Sequence, residues 1–164
     1  MKTAANQARF WGVLLLLVVL HFVLRPQLGD PRFAPDLVLV ALLFFAIRER
    51  PGLGAVAGFL VGLTADALAP TSFGAGALAG TLVGFLAGWV KALFVADNVL
   101  ITALFVFVAA WLRDAVEILA GNQLAARAVL WQLLAYTPLA ALTTAVAALL
   151  FLLLFRPWLE PRPA

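Results

Sequence analysis

The side chains that could take part in chemistry are few in this chain and lie far apart in the sequence. Asp66 is the acid of most interest, because a carboxylate at the end of an apolar helix needs a partner or water. Two interpretations are open for it: an ion- or proton-coupled transport site, or a structural carboxylate near the outer interface that binds loop backbone or Arg113. A proton-coupled carrier would use Asp66 together with His21 and Asp114. The simpler interpretation of His21 is an interfacial side chain.

The common kinds of enzyme chemistry are not indicated. The single histidine lies at a helix end, and no strand-turn-helix context exists for a nucleophile. No glycine is followed by Lys-Ser or Lys-Thr, so the chain has no phosphate-binding loop. There is no cysteine, and the eight acids are too dispersed to indicate a metal site. We therefore expect a protein that is not an enzyme and has no cofactor and no metal.

Glycines follow one another at a spacing of four in two stretches. Residues four apart share one face of a helix, so each stretch predicts a strip without side-chain bulk on an apolar helix. Small residues at this spacing let helices pack closely in a membrane. Either the two strips pack against each other or one of them accepts a helix from another protein. The first strip holds Gly54, Gly58 and Gly62 and continues to Asp66, and the second holds Gly76, Gly80, Gly84 and Gly88.

The elements that carry these residues are membrane helices. Of the 164 residues, 65% are hydrophobic and 12% charged, with a mean hydropathy of +1.09. Soluble domains carry about 25% charged residues, so the chain is an integral membrane protein. The net charge is +3, and the basic residues stand at the ends of apolar runs. This distribution is typical of topology signals in a lipid bilayer, and no nucleic-acid partner is expected.

Six apolar stretches predict an all-α fold, a six-helix transmembrane bundle that forms a single domain over residues 1–164. Asp36 is expected to cap the second helix, and Asp97 with Asn98 the fifth. Pro138 should kink the sixth helix. The helices are expected at about residues 10–24, 36–50, 53–68, 75–95, 98–119 and 129–155.

Charges and polar groups near the helix ends give the topology and a few contacts. If both termini are cytoplasmic, seven basic residues lie inside and four outside, as the positive-inside rule favours. Arg113 and Glu117 are four apart and should pair on one helix face. The polar residues of the sixth helix are most simply interhelical hydrogen-bonding groups, and a ligand pocket is the alternative. They are Gln132, Tyr136, Thr137, Thr143 and Thr144.

Two motifs together resemble the family of the rod shape-determining membrane protein MreD. The sequence ProAspLeu at residues 35–37 opens the second helix, and GlyPheLeuValGlyLeuThrAlaAspAla follows at residues 58–67, continued by glycines as far as Gly88. The resemblance covers nearly the whole chain, although the last two helices match by hydropathy more than by identifiable residues. Pro35, Asp36, Gly58, Gly62 and Asp66 match the family pattern, which implies a structural or interactive role for them.

The resemblance implies a non-enzymatic member of the bacterial elongation machinery in the inner membrane. Its expected partner is MreC, which has one membrane helix, and MreC links it to the filament MreB, to RodA and to a class B penicillin-binding transpeptidase. The implied fold is similar to the substrate-binding subunits of energy-coupling-factor transporters. We expect the glycine surface of the third and fourth helices to receive the MreC helix. The alternative is a vitamin-binding subunit that hands its substrate to an ATPase module.

Overall fold

The computed structural model describes residues 2–27, 34–68, 73–90, 99–121 and 126–159. These residues contain no strand, so the prediction of an all-α protein is confirmed. A π-helical turn (Gln132–Tyr136) joins the last two helices into one continuous element. The helices are α1 (Lys2–Leu24), followed by a 3-10 turn (Arg25–Gln27), α2 (Leu37–Arg48), α3 (Pro51–Leu68), α4 (Ala75–Val90), α5 (Val99–Gly121), α6 (Ala126–Trp131) and α7 (Thr137–Leu159).

The helix ends differ from the sequence-based bounds in places. α1 begins at Lys2 and not near residue 10, because polar residues extend the apolar helix. α2 stops at Arg48, where the N–H of Glu49 donates to the carbonyl oxygens of Phe45 and Ala46. The expected continuation of the fourth helix to residue 95 and the capping pair at 97 and 98 fall outside the described residues.

The π turn lies directly before Pro138. Proline has no N–H to donate, and its ring clashes with the carbonyl four residues earlier in a regular α-helix. Here the N–H of Thr137 donates to the carbonyl of Gln132, five residues back, and the Thr137 hydroxyl donates to the same oxygen at 2.9 Å. A wider turn thus provides room for the proline at the place where the sequence predicted a kink.

With α6, the π turn and α7 taken as one helix, successive helices run in opposite directions, and the two ends of the bundle can be told apart by their residues. The Asp36 end is where α2 begins, and it also holds the end of α1 near Arg25 and the end of α5 near Arg113. The Arg48 end is where α2 ends; there the guanidinium of Arg48 lies 4.0 Å from the ring centre of Phe10 on α1. Both the first and the last described helix ends, Lys2 and Leu159, belong to the Arg48 end.

α2 is the central helix. Eight of its twelve residues are buried, whereas a surface helix buries only a stripe along one side. Leu17 of α1, Val40 and Leu43 of α2 and Val106 of α5 are fully enclosed and meet in one apolar core. The position of Asp36 therefore matters, because it sets where this central helix begins.

Three helices are long and apolar enough to cross a membrane: Gln7–Gln27, Pro51–Leu68 and Ala128–Phe155. α2 and α4 are apolar as well but have only 12 and 16 residues. Large apolar side chains point outward on every long helix, for example Leu15, Leu104 and Leu154. Such a surface fits lipid and agrees with a membrane protein.

Candidate functional site

The two glycine strips face each other across the α3–α4 interface. A Cβ atom added to Gly58 would collide with the carbonyl oxygen of Gly80, and one added to Gly80 would collide with that of Gly58. The same reciprocal approach joins Gly54 to Gly84. A Cβ added to Gly62 would collide with the carbonyl oxygen of Gly76, whereas one added to Gly76 would first meet the carboxylate of Asp66. The two backbones are thus in van der Waals contact along the strips. This interface is the most extensive one between any two helices in the described residues.

This packing decides between the two alternatives for the strips. Each strip is buried by the other. At the end of the second strip Gly88 lies against Pro51, because a Cβ added to Gly88 would be 2.7 Å from the Cα of Pro51. A helix of another protein could reach these glycines only by displacing α3 or α4. The surface along Gly80 and Gly84, where the MreC helix was expected, is therefore covered by α3.

Asp66 closes the same interface at the Asp36 end. Its carboxylate is buried and accepts three backbone hydrogen bonds: Gly74 at 3.0 Å, Gly76 at 3.0 Å and Ala77 at 2.9 Å. These N–H groups belong to the first turn of α4 and the turn before it, where Gly74 has a φ of +99° that other residues rarely adopt. Free N–H groups at a helix start need such an acceptor. The carboxylate of Asp66 thus binds the backbone N–H groups at the start of α4 and caps that helix.

A separate polar cluster surrounds Asp36 at the position where α2 begins. One carboxylate oxygen caps α2 by accepting the N–H of Leu39 at 2.9 Å, and the other binds the guanidinium of Arg113 on α5. The backbone N–H of Asp36 donates to the hydroxyl of Thr144 on α7 at 3.1 Å. Nδ1 of His21 on α1 lies 3.6 Å from the carboxylate. Asp36 therefore connects four helices.

Arg113 holds two carboxylates at once. One guanidinium nitrogen binds Asp36, and another lies 3.8 Å from Glu117, one turn further along α5. The predicted pairing of Arg113 with Glu117 is thus confirmed. We call His21, Asp36, Arg113, Glu117 and Thr144 the polar junction. Its ion pairs lie partly out of water, where a missing partner costs more than at a surface.

His21 is buried, with 6% of its surface exposed, and is not the interfacial side chain expected from its position near a helix end. Arg25 on the next turn donates to its Nε2 at 3.3 Å. A neutral imidazole that accepts at Nε2 carries its hydrogen on Nδ1. Nδ1 lies 3.6 Å from the Asp36 carboxylate, slightly beyond hydrogen-bond distance, and has no other hydrogen-bond partner among the described residues. The junction therefore contains one unsatisfied polar group.

A cavity of about 660 Å³ lies beside the polar junction at the Asp36 end. Its walls come from the start of α2, the last two turns of α5, the π turn and the start of α7. Four of the five polar residues that the sequence placed on the sixth helix line it: Gln132, Tyr136, Thr137 and Thr144. Charged groups line it as well, namely Arg25, Asp36, Arg113, Asp114 and Glu117. The structure thus combines polar groups from four helices around one cavity.

Sequence reasoning treated these α5 charges as separate contacts and did not connect them with the sixth helix. The available signal was three charged residues, Arg113, Asp114 and Glu117, in the last turns of an apolar helix. Charges inside a membrane segment usually face the interior of the protein or a water-filled cavity. Only the helix order around the bundle, which brings α5 against the π turn and α7, places them opposite Tyr136.

An apolar groove runs between α4 and α5 on the outside of the bundle, with a volume of about 350 Å³. Its floor contains the small side chains of Ala87 and Ala109, and Leu104, Phe105 and Val108 form its α5 edge. No polar atom is exposed in it. In a bilayer such a surface contacts lipid chains or another apolar helix.

No group of three or more metal-binding side chains occurs among the residues that the structure describes. A family model described as rod shape-determining protein MreD matches residues 5–158, nearly the whole chain. No curated protein and no solved structure matches. The expected similarity to energy-coupling-factor subunits therefore stays a prediction.

Proposed function

The chain belongs to the MreD family of rod shape-determining proteins, and from this we propose that it is a non-enzymatic scaffold of the bacterial elongation machinery that binds MreC. Through MreC it would be linked to MreB, RodA and a class B penicillin-binding transpeptidase, and so support lateral peptidoglycan synthesis. The family match over residues 5–158 carries this proposal. The role of such a scaffold is to hold the MreC membrane helix in a defined place beside the bundle.

The proposed location is the bacterial inner membrane, with several spans and both termini in the cytoplasm. Two observations support this. Three helices are long and apolar enough to cross a bilayer. The described helix ends nearest to the two termini, Lys2 and Leu159, lie at the same end of the bundle, which supports a topology with both termini on one side. The excess of basic residues expected on that side supports its assignment to the cytoplasm.

The groove between α4 and α5 is the surface that we assign to the MreC helix, in place of the glycine strips. A partner helix in lipid associates by packing and gains little from the hydrophobic effect, so it needs a concave surface with small residues. Ala87 and Ala109 provide the small residues, and the side chains of Leu104 and Val108 stand beside them. Lipid chains are the competing occupants of this groove.

Cysteine cross-linking tests this assignment, since the native chain has no cysteine. We would place single cysteines at Leu104 in the groove, at Leu60 on the outer face of α3 and at Leu150 on α7, all exposed apolar positions. Each would be combined with a cysteine scan along the MreC helix in native membranes. We expect Leu104→Cys to form disulfides with MreC positions that recur every three to four residues. Leu60→Cys and Leu150→Cys serve as matched controls and should form none.

Two outcomes would contradict the proposal in different ways. Cross-links from Leu60→Cys or Leu150→Cys, with none from Leu104→Cys, would keep MreC as the partner and move its helix to another face. Failure of MreC to co-purify with the chain from its native membrane would remove MreC as the partner.

The cavity favours a second candidate, the vitamin-binding subunit of an energy-coupling-factor transporter. Such a subunit needs a pocket in which several polar and aromatic groups converge. Tyr136, Gln132 and the charged groups of α5 converge in this way at the Asp36 end. The same co-purification experiment separates the scaffold from the transporter subunit. A transporter subunit would co-purify with two ATPases and a coupling protein, whereas a scaffold would co-purify with MreC.

A further inference from the structure

We propose that this protein holds the surrounding bilayer at two thicknesses, thin beside α3 and α4 and thick beside the element formed by α6, the π turn and α7. We call α3 with α4 the short wall and the second element the long wall. The lipids that fit the short wall have shorter acyl chains than those that fit the long wall. This inference does not depend on MreC, because it uses only the lengths, the alignment and the outer surfaces of the helices.

The two walls differ in the length of their apolar spans. The span on α3, Pro51–Leu68, has 18 residues, whereas the span on the long wall, Ala128–Phe155, has 28. At 1.5 Å per residue these spans measure about 27 Å and about 42 Å. The helix α4, Ala75–Val90, has 16 residues and is followed in the sequence by Lys91. Since the hydrocarbon core of a bilayer is about 30 Å thick, the short wall is shorter than the core and the long wall is longer.

The contact between α2 and α3 fixes the level at which the short wall ends. A Cβ added to Gly54 of α3 would lie 3.1 Å from the Cβ of Ala46 on α2, so these two residues lie at the same level in the bundle. From that level α2 runs ten residues back to Asp36, about 15 Å, and α3 runs fourteen residues on to Leu68, about 21 Å. The short wall therefore ends about 6 Å beyond Asp36.

The long wall extends much further at the same end. The hydroxyl of Thr144 on α7 accepts the backbone N–H of Asp36 at 3.1 Å, which places Thr144 at the level of Asp36. α6 begins at Ala126, eighteen residues before Thr144. Measured along the helix, the long wall thus extends about 27 Å beyond the level of Asp36.

At the Arg48 end the two walls are almost level. Pro51 lies three residues before Gly54, and Phe155 lies eleven residues after Thr144, so the two apolar spans end within about 3 Å of each other. The bundle therefore has a step at the Asp36 end only. Tilting the whole bundle shifts both ends of a wall together and leaves the two walls unequal in length.

The projecting part of the long wall has an apolar outer surface. Leu130 is 58% exposed and Leu134 is 73% exposed. No charged residue occurs between Arg127 and Arg156, and polar residues of the π turn and α7 line the inner cavity instead. A helix that stands in water carries polar groups on its outer face, so this distribution favours lipid around the projecting part.

The short wall ends in a turn that is not helical. Gly74 has its φ of +99° in this turn, and its N–H donates to Asp66. Irregular backbone does not lie in lipid, because its polar groups need water or protein partners. The bilayer surface must therefore meet the short wall near this turn, well below the outer end of the long wall. A bilayer adapts its thickness at a modest cost per ångström.

Cysteine labelling measures this step, since the native chain has no cysteine. Single cysteines replace exposed apolar residues of the full chain in native membranes, and a membrane-impermeant maleimide is added to one side at a time. From the side of the Asp36 end we expect Leu68→Cys to react at least about tenfold faster than Leu134→Cys, because thiolates do not form in lipid. Leu134 lies about 15 Å beyond the level of Asp36, further out than Leu68, so a flat bilayer of even thickness gives no such order.

A matched pair at the other end excludes a tilted bundle. Leu53 on α3 and Leu154 on α7 are both exposed and lie at similar levels near the Arg48 end. Leu53→Cys and Leu154→Cys should therefore react at similar rates from that side. A tilt that brings Leu68 into water would instead draw Leu53 into lipid and move Leu154 out of it.

The preference for acyl chains is measured with a fluorescent label on Leu60→Cys of the short wall or Leu150→Cys of the long wall. The labelled protein is placed in mixtures of two phosphatidylcholines with 14- and 20-carbon chains, one of them brominated to quench the label. The label on the short wall should favour the shorter lipid by about threefold or more relative to the label on the long wall. Leu134→Lys should weaken the preference of the long wall for longer chains, and Leu134→Met, which adds no charge, should leave it unchanged.

Three results would overturn the proposal. Equal reactivity of Leu68→Cys and Leu134→Cys would show an even thickness, and faster reaction of Leu134→Cys would place the projecting part in water, as a surface for a protein partner. Reaction of Leu154→Cys with protection of Leu53→Cys would show a tilted bundle. The same chain-length preference at both walls would show that the lipids do not distinguish them.

Discussion

The closest approach of α3 to α4, at Gly58, allows a sharp test of the glycine interface. In Gly58→Ala the new Cβ would lie 2.5 Å from the carbonyl carbon of Gly80 and 3.2 Å from the nitrogen of Thr81. Carbon atoms in contact are normally about 3.5–4.0 Å apart, so the two backbones must separate by roughly 1 Å. Neither neighbour is a flexible side chain that could move aside.

The magnitude follows from two opposing effects. Overpacking of this kind costs about 1–3 kcal/mol. Alanine has a higher helix propensity than glycine by up to about 1 kcal/mol, which offsets part of the loss. We therefore expect Gly58→Ala to lower the free energy of unfolding by about 1–2 kcal/mol. For a chain of this length this lowers the melting temperature by roughly 2–8 °C.

The assay is thermal unfolding of the purified protein in one detergent, with two glycines as matched controls. A Cβ added to Gly52 of the same helix, or to Gly12 in the middle of α1, would meet nothing within 4 Å. Gly52→Ala and Gly12→Ala should therefore be as stable as the wild type or slightly more stable. The reasoning is refuted if Gly58→Ala unfolds at the wild-type temperature, or if the controls lose as much stability as Gly58→Ala does.

Two further predictions concern the carboxylates. Asp66→Asn should lower the free energy of unfolding by about 1–3 kcal/mol, because an amide has one oxygen to accept the three N–H groups that Asp66 now binds. Thermal unfolding measures this loss. An unchanged melting temperature would show that the cap of α4 is dispensable. Arg113→Met should cost about 2–3 kcal/mol by leaving Asp36 without its cation, and Asp36→Asn in the same chain should restore part of that loss. A double-mutant cycle at these two positions measures the coupling, and strictly additive losses would argue against a direct ion pair.

Local patterns in the sequence were sufficient for much of the fold. Apolar runs and their breaks predicted the helices, and Asp36 was correctly placed as the cap of α2. The pairing of Arg113 with Glu117 followed from their spacing on one helix. Each of these features involves residues close in the chain, so periodicity and capping rules are enough to find it.

Other features depend on contacts between distant parts of the chain. The spacing of Gly54, Gly58 and Gly62 showed that α3 has a bare face, but a bare face accepts any close-packing helix. In the same way, no local pattern predicts that His21 is buried, because its burial depends on which helices pack around the end of α1.

By itself, the sequence determined that this protein is helical, apolar enough for a membrane, and a member of the MreD family. Only the tertiary structure decided that α4 covers the glycines of α3 and that charges of α5 meet polar groups of the π turn around a cavity. The physical reason is that helix formation depends on neighbours three or four residues apart. Which faces meet depends instead on how all the helices bury their surfaces together.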